Sequence, residues 1–266
     1  MNRRSFLNTC KIAAFSSVAY PIVSSASKDF AVDSLVLADS VIKKSDLFIE
    51  NSDLAQFESV RKKLYQVQRH VGYGNFNIIS FDLMLKYAKY ANNIESFTQK
   101  ELDFLEKIFY INPTPYGFYG KKVSEKITDT INNNDVIKVS GTGHYLFKGK
   151  PEKTYNELRK DIGDTLTLTS GVRSIVKQMK LYLDKIERSD GNITKASKSL
   201  APPAYTYHSI ADFDVGKKGL GYDNFTARFA LTKEFSQMRK LKYIEMRYTM
   251  NNKDGVRYEP WHIKVI

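Results

Sequence analysis

Two histidines of this chain, each with a carboxylate close by, stand in separate blocks. One is His208-Ser209-Ile210-Ala211-Asp212-Phe213-Asp214, the other Glu259-Pro260-Trp261-His262. Any fold in which they act together must set the two blocks side by side, which constrains the C-terminal half of the chain tightly. The chain has only 4 histidines, so two in such settings carry weight. A catalytic zinc site takes about three protein ligands, leaves one position for water and needs a base beside it. The blocks offer two imidazoles, two aspartates and a glutamate, a pattern that predicts a metallopeptidase centre.

Cysteine usage narrows the choice of donors. The single cysteine, Cys10, lies in an N-terminal stretch that reads as an export signal. Arg3-Arg4-Ser5-Phe6-Leu7 gives a charged start, Ile12 to Val23 a short apolar run, and Ser24-Ser25-Ala26 a small-residue cleavage site. The paired arginines resemble a twin-arginine signal, so residues 1–26 are expected to be removed after export by the Tat machinery. The apolar run falls short of the roughly 20 residues that span a bilayer, and no stable membrane anchor is expected after cleavage. The expected location is the periplasm, or an exported position elsewhere in a bacterial cell envelope. Beyond the signal no thiol remains, which excludes disulfides and a thiol nucleophile and leaves His and carboxylate as metal donors.

The formal net charge is +12, and a basic surface attracts polyanions. The lysines and arginines are nevertheless dispersed in singles and pairs, without an arginine-rich arm or a nucleic-acid motif. General solvation is the expected role, and no nucleic-acid partner is expected. Seventeen Tyr and 16 Phe suit a thick core or a groove that grips an extended substrate.

Residues 27–50 lack periodicity and read as a lead-in. From Asp53, the spacing of Leu54, Phe57, Val60, Leu64 and Val67 predicts a helix that stops near Gly72. Phe81 to Ala91 predicts a second behind Ser80 as N-cap. Thr98-Gln99-Lys100-Glu101 is a capping box that opens a third. Pro113 and Pro115 close this segment, in which no chemistry is evident. Further on, Tyr155 to Ile162 and Ser174 to Ile186 read as helices, and residues 188–200 as a polar linker. Thr165–Thr169, Ala227–Leu231, Tyr243–Thr249 and Val256–Val265 read as strands. The fold class that follows is α+β: an antiparallel sheet with packed helices carrying the site, preceded by a helical N-terminal segment. The expected division is 1–26 signal, 27–125 lead-in and helical segment, and 126–266 peptidase domain.

Three blocks, Ser170-Gly171-Val172-Arg173-Ser174-Ile175-Val176-Lys177-Gln178, His208 to Asp214, and Glu259 to His262, follow one another in an order that resembles zinc D-alanyl-D-alanine carboxypeptidases. The resemblance is to the M15 peptidase family, in particular its VanY-type branch. It implies one Zn2+ per chain held by His208, Asp214 and His262, with Glu259 as catalytic base and Arg173 as a substrate-binding and catalytic cation. Gln178, Thr206 and Trp261 are implied at the substrate. The family's middle motif, Ser-x-His-x-x-Gly-x-Ala-x-Asp, is met with departures. Thr206 stands at the Ser position, Ala211 at the Gly position, and the His-to-Asp spacing is one residue shorter. Asp212 therefore stays an alternative to Asp214 as ligand.

The activity implied is removal of D-alanine from peptidoglycan stem peptides by a zinc-activated water. An endopeptidase or D,D-dipeptidase of the same fold, or a non-catalytic cell-wall-binding protein, stays open beside it. Three smaller features have ordinary readings. His144, in Gly141-Thr142-Gly143-His144, reads as part of a turn. His70 reads as a charge partner at a helix C-terminus. Asn192-Ile193-Thr194 and Asn224-Phe225-Thr226 match glycosylation sequons that an exported bacterial protein would not use.

Overall fold

The computed structural model describes residues 45–265. The export signal expected at 1–26 and most of the lead-in lie outside the described residues. Helix α1, Leu54–Val71, buries Phe57, Val60, Leu64 and Val67 of the apolar set that the spacing singles out, whereas Leu54 in its first turn is exposed. Helix α2, Phe81–Tyr90, starts at Ser80, whose hydroxyl accepts from the Leu83 N–H. Helix α3, Gln99–Tyr110, carries the full capping box: Thr98 accepts from the Glu101 N–H, and the Glu101 carboxylate accepts from the Thr98 N–H. Glu101 also binds Lys63 at 2.8 Å, tying α3 to α1 through a buried ion pair.

Strands β1, Val136–Val139, and β2, His144–Phe147, form a separate antiparallel hairpin. Helix α4, Lys150–Ile162, leads to strand β3, Leu166–Ser170, and then to helix α5, Ile175–Glu187. Ser174 caps α5 by accepting from the Lys177 N–H. A short helix α6, Ile193–Ser197, follows, then β4, Phe213–Lys217, helix α7, Lys233–Met238, and strands β5, Glu245–Met246, and β6, His262–Lys264. The main sheet has the order β3-β4-β6-β5, with every neighbouring pair antiparallel. The α+β class with an antiparallel sheet, packed helices and a helical N-terminal part is what the sequence predicts.

Among the described residues two large apolar cores divide the molecule, beside a small cluster of Phe118, Tyr248 and Val256. One joins α1, α2 and α3 to the inner face of α5, through Val60, Leu64, Met84, Leu105, Met179 and Leu183. The other packs α4 and α7 on the main sheet, through Leu158, Leu166, Phe213, Val215, Met238 and Ile263. Helix α5 thus belongs to the helical layer, while its N-terminus leads directly out of β3. The helical segment reaches the sheet through it.

Four expectations differ from the observed elements. Residues 188–200 contain α6, because the buried Asn192 caps it by accepting from the Lys195 N–H at 2.8 Å. Ala227–Leu231 is a 3-10 helix and not a strand. There Thr226 accepts from the Arg228 N–H at 3.2 Å, and such local bonds compete with a ladder. In Tyr243–Thr249 only Glu245–Met246 pairs. The last strand is confined to His262–Lys264, since Pro260 offers no N–H and the His262 N–H closes a turn onto the Glu259 carbonyl at 3.2 Å. Both sequon asparagines have structural duties: Asn224 bonds the backbone of Lys217 through both ends of its amide.

Candidate metal centre and catalytic cleft

The main sheet assembles the centre by register. Asp214 on β4 faces Ser170 of β3 on one side and His262 of β6 on the other. A register shift between Leu168 and Ser170 sets that first pairing, and a bulge here re-aims side chains at the edge of the site. The chain then runs through Gly171 and Val172 to Arg173 at the entry of α5. Gly171 has to be glycine, because a Cβ there would lie 1.9 Å from the Tyr145 carbonyl oxygen of β2.

His208 sits in a 3-10 turn, Tyr207–Ser209, that ends just before β4. Its Nδ1 lies 2.9 Å from the Gly171 carbonyl oxygen, which can only accept, so Nδ1 donates and Nε2 carries the lone pair. That Nε2 lies 3.3 Å from Asp214 Oδ2. His262 turns Nδ1 inward, 3.3 Å from Asp214 Oδ1 and 3.6 Å from Glu259 Oε2. Ligating atoms of His208, Asp214 and His262 all lie within 4.8 Å of one another, and all three residues are buried.

These residues fit a zinc ion. His208 Nε2 and Asp214 Oδ1 are buried and have no hydrogen-bond partner within the protein. A buried polar atom left unmatched is costly, and both are good donors to a borderline cation. The electrostatics point the same way. Burial and the nearby Arg173 charge push His208 down to about 4, leaving it neutral and able to ligate. Burial opposes charge on Asp214, yet His208 and Arg173 hold it well below the usual carboxylate range. At His262 burial also opposes charge, but Asp212, Glu259 and Asp214 pull it up to about 9. A cation held here would take the place of the proton on His262 Nδ1.

Glu259 lies beside the trio and does not need to belong to it. Its carboxylate is buried, which raises its pKa, and Arg257 Nε stands 3.9 Å away. Arg173 is buried, donates from Nε to Ser170 Oγ at 2.8 Å and from Nη2 to Asp214 Oδ2 at 2.5 Å. Gln178 on α5 donates to the Ala201 carbonyl at 2.7 Å. Trp261 packs edge-on against Phe225, with ring centroids 6.4 Å apart. Arg173, Gln178, Thr206 and Trp261, together with His208, Asp214, Glu259 and His262, line one cleft of about 460 Å3. All eight residues singled out from the sequence meet there.

Asp212 is turned away from the cleft and bonds Arg247, His262 and the Val265 N–H. His144 begins β2 beside the Gly141–Gly143 turn and stands outside the ligand trio. His70 packs over the Tyr87 ring, with centroids 5.3 Å apart. Two residues of the site escape sequence reasoning. Tyr248 lines the cleft and sets its ring edge-on to His262 at 4.8 Å, and Arg247 holds Asp212. Neither belongs to a motif, and both lie in a stretch whose pattern reads only as strand.

Residues 152–266 match the family model of VanY, D-alanyl-D-alanine carboxypeptidase. This C-terminal part of the chain is therefore similar to a VanY-type peptidase domain. Comparison with curated proteins gives no match. Among solved structures, the vancomycin-resistance D,D-pentapeptidase VanY of a VanB-type cassette, in complex with Zn(II), is 19% identical, with a TM-score of 0.38 over 49% of this chain and 77% of that one. The D,D-dipeptidase VanXYg, bound to a D-Ala-D-Ala phosphinate analogue, is 18% identical, with a TM-score of 0.41 over 51% of this chain and 60% of that one. The LD-carboxypeptidase LdcB is 20% identical, with a TM-score of 0.40 over 51% and 70%. At these scores the likeness is distant.

Proposed function

We propose that the protein is an exported zinc D,D-carboxypeptidase that removes the terminal D-alanine from peptidoglycan stem peptides. One observation carries the reading. Two histidines and an aspartate converge at the wall of a cleft, His208 Nε2 and Asp214 Oδ1 are buried and unmatched, and a desolvated glutamate lies beside them. In this reading His208 Nε2, Asp214 and His262 Nδ1 hold the ion. When bound, zinc acidifies its water to a pKa of about 7 and polarises the scissile carbonyl.

The remaining work falls to the protein. Glu259 takes the proton of the attacking water and delivers it to the leaving amine, a role that burial favours by raising its proton affinity. Arg173 offers a planar cation to the substrate's terminal carboxylate or to the developing oxyanion. Gln178 and Thr206 orient the peptide, and Trp261 keeps water from one side of the cleft. Export through the signal expected at residues 1–26 would deliver the enzyme to the envelope, where such peptides lie.

Mass spectrometry of muropeptides digested by the purified protein tests the reading. Loss of a single alanine is expected. Loss of a dipeptide or opening of a cross-link would move the assignment to a D,D-dipeptidase or an endopeptidase. Tight binding to sacculi with no product would mark a non-catalytic wall protein.

A further inference from the structure

Asp212 is the second carboxylate of the His208–Asp214 block, and none of the chemistry above uses it. It is 1% exposed, and both of its oxygens are fully engaged. Oδ2 accepts from Arg247 Nε at 2.7 Å and lies 3.1 Å from His262 Nε2. Oδ1 accepts from Arg247 Nη2 at 3.1 Å and from the Val265 N–H at 2.9 Å. A carboxylate offers about four lone-pair sites, and here each oxygen already meets two partners. Asp212 therefore has no free site for a metal.

The same contacts determine the state of the His262 ring. Guanidinium and backbone amide can only donate, and an ionised carboxylate has no proton to give. Arg247 donates to both oxygens of Asp212, a two-point pairing with a guanidinium that suits the ionised carboxylate. The proton between Asp212 and His262 thus sits on Nε2, and in the neutral ring the lone pair is on Nδ1. Nδ1 is the atom that faces Asp214 and Glu259. His208 reaches the mirrored arrangement by donating from Nδ1 to the Gly171 carbonyl. Opposite nitrogens of the two rings are turned into one centre, each fixed by the bond that its other nitrogen makes.

Arg247 is well placed to anchor the carboxylate. Its guanidinium lies 3.8 Å over the Tyr207 ring, one residue before His208, and its backbone N–H donates to the His262 carbonyl at 3.2 Å. A shift of Arg247 would disturb both histidine blocks together.

We propose that Asp212, anchored by Arg247 and the Val265 amide, is a positioning residue that fixes the tautomer and orientation of His262 so that Nδ1 faces the metal. The role rests on the reading of His208, Asp214 and His262 as a metal centre. Outer carboxylates of this kind raise ligand basicity, and their loss typically lowers metal affinity about 10–100-fold.

The test is Asp212→Asn, which keeps the shape but leaves one oxygen for four donors. Zn(II) and Co(II) affinities would be measured by competition with a chromophoric chelator, along with the visible spectrum of the Co(II) form and separate kcat and KM values. Expected are folded protein, affinity lower by about 10–100-fold, shifted Co(II) bands at saturation, and a fall in kcat that exceeds any rise in KM. Should Asp212→Asn not fold, the double variant Asp212→Asn/Arg247→Gln, which removes both charges together, gives the same readouts. Wild-type affinity and an unchanged Co(II) spectrum in a folded variant would overturn the role. Complete loss of binding in a folded variant would overturn it as well, since Asp212 would then be a ligand. A wild-type protein that binds neither metal overturns the metal centre itself, and this role with it.

Discussion

Two buried charge clusters, one in the helical layer and one at the sheet, are built on opposite terms. In the helical layer Lys63 donates to Glu101 at 2.8 Å and to the Ser96 carbonyl at 2.8 Å. Glu101 also accepts from Ser59, the Thr98 N–H and the Thr98 hydroxyl. One positive charge meets one negative charge, and each has its hydrogen bonds. At the sheet, Asp212, Asp214 and Glu259 crowd around two histidines and Arg173, and His208 Nε2 and Asp214 Oδ1 lack partners. Buried charge by itself marks only a folded interior. Buried donors aimed at a shared point and left unmatched mark a site for something else.

The comparison breaks most sharply at the ligands. His208→Ala, Asp214→Ala and His262→Ala should each lose both bound zinc and activity, because two remaining ligands hold the ion far more weakly. Elemental analysis beside turnover checks this, and a variant that keeps both would remove its residue from the ligand set. Glu259→Gln should keep zinc while activity falls at least about 10²-fold, in line with a lost general base. Zinc missing from Glu259→Gln would merge two roles kept apart here.

The helical cluster should answer in the other currency, stability. Lys63→Met strands a buried carboxylate and should cost about 3 kcal/mol in denaturant unfolding. The hydrolytic rate of the protein that remains folded should be unchanged; a matching loss of kcat would tie the helical layer to the chemistry. Smallest is Thr98→Ala, which removes the N-cap of α3 and should cost about 1 kcal/mol, again with unchanged turnover.

How much of this was legible beforehand follows from how local each signal is. The three helices of the N-terminal segment are written in short-range terms: apolar spacing in α1, the Ser80 cap of α2 and the capping box of α3. The eight residues in the cleft were legible because rare residue types stand close together in three blocks. The strands were legible only in part. Thr226 and Thr232 turn the chain locally, at positions where alternation reads as strand, and Pro260 shortens the last strand. Asp212 shows the limit most clearly. From spacing it is a rival ligand, and only the approach of Arg247 and Val265 shows both of its oxygens engaged elsewhere. Those partners come from distant parts of the chain, and no local pattern announces them.

The measurement closest to the central claim is a zinc titration of metal-stripped protein, with release of D-alanine from a D-alanyl-D-alanine-terminated stem peptide followed at every addition. The account predicts no turnover in the stripped protein and a rate that rises in proportion to zinc until one ion per chain is bound. Full turnover in the stripped protein, indifferent to added zinc, would contradict it.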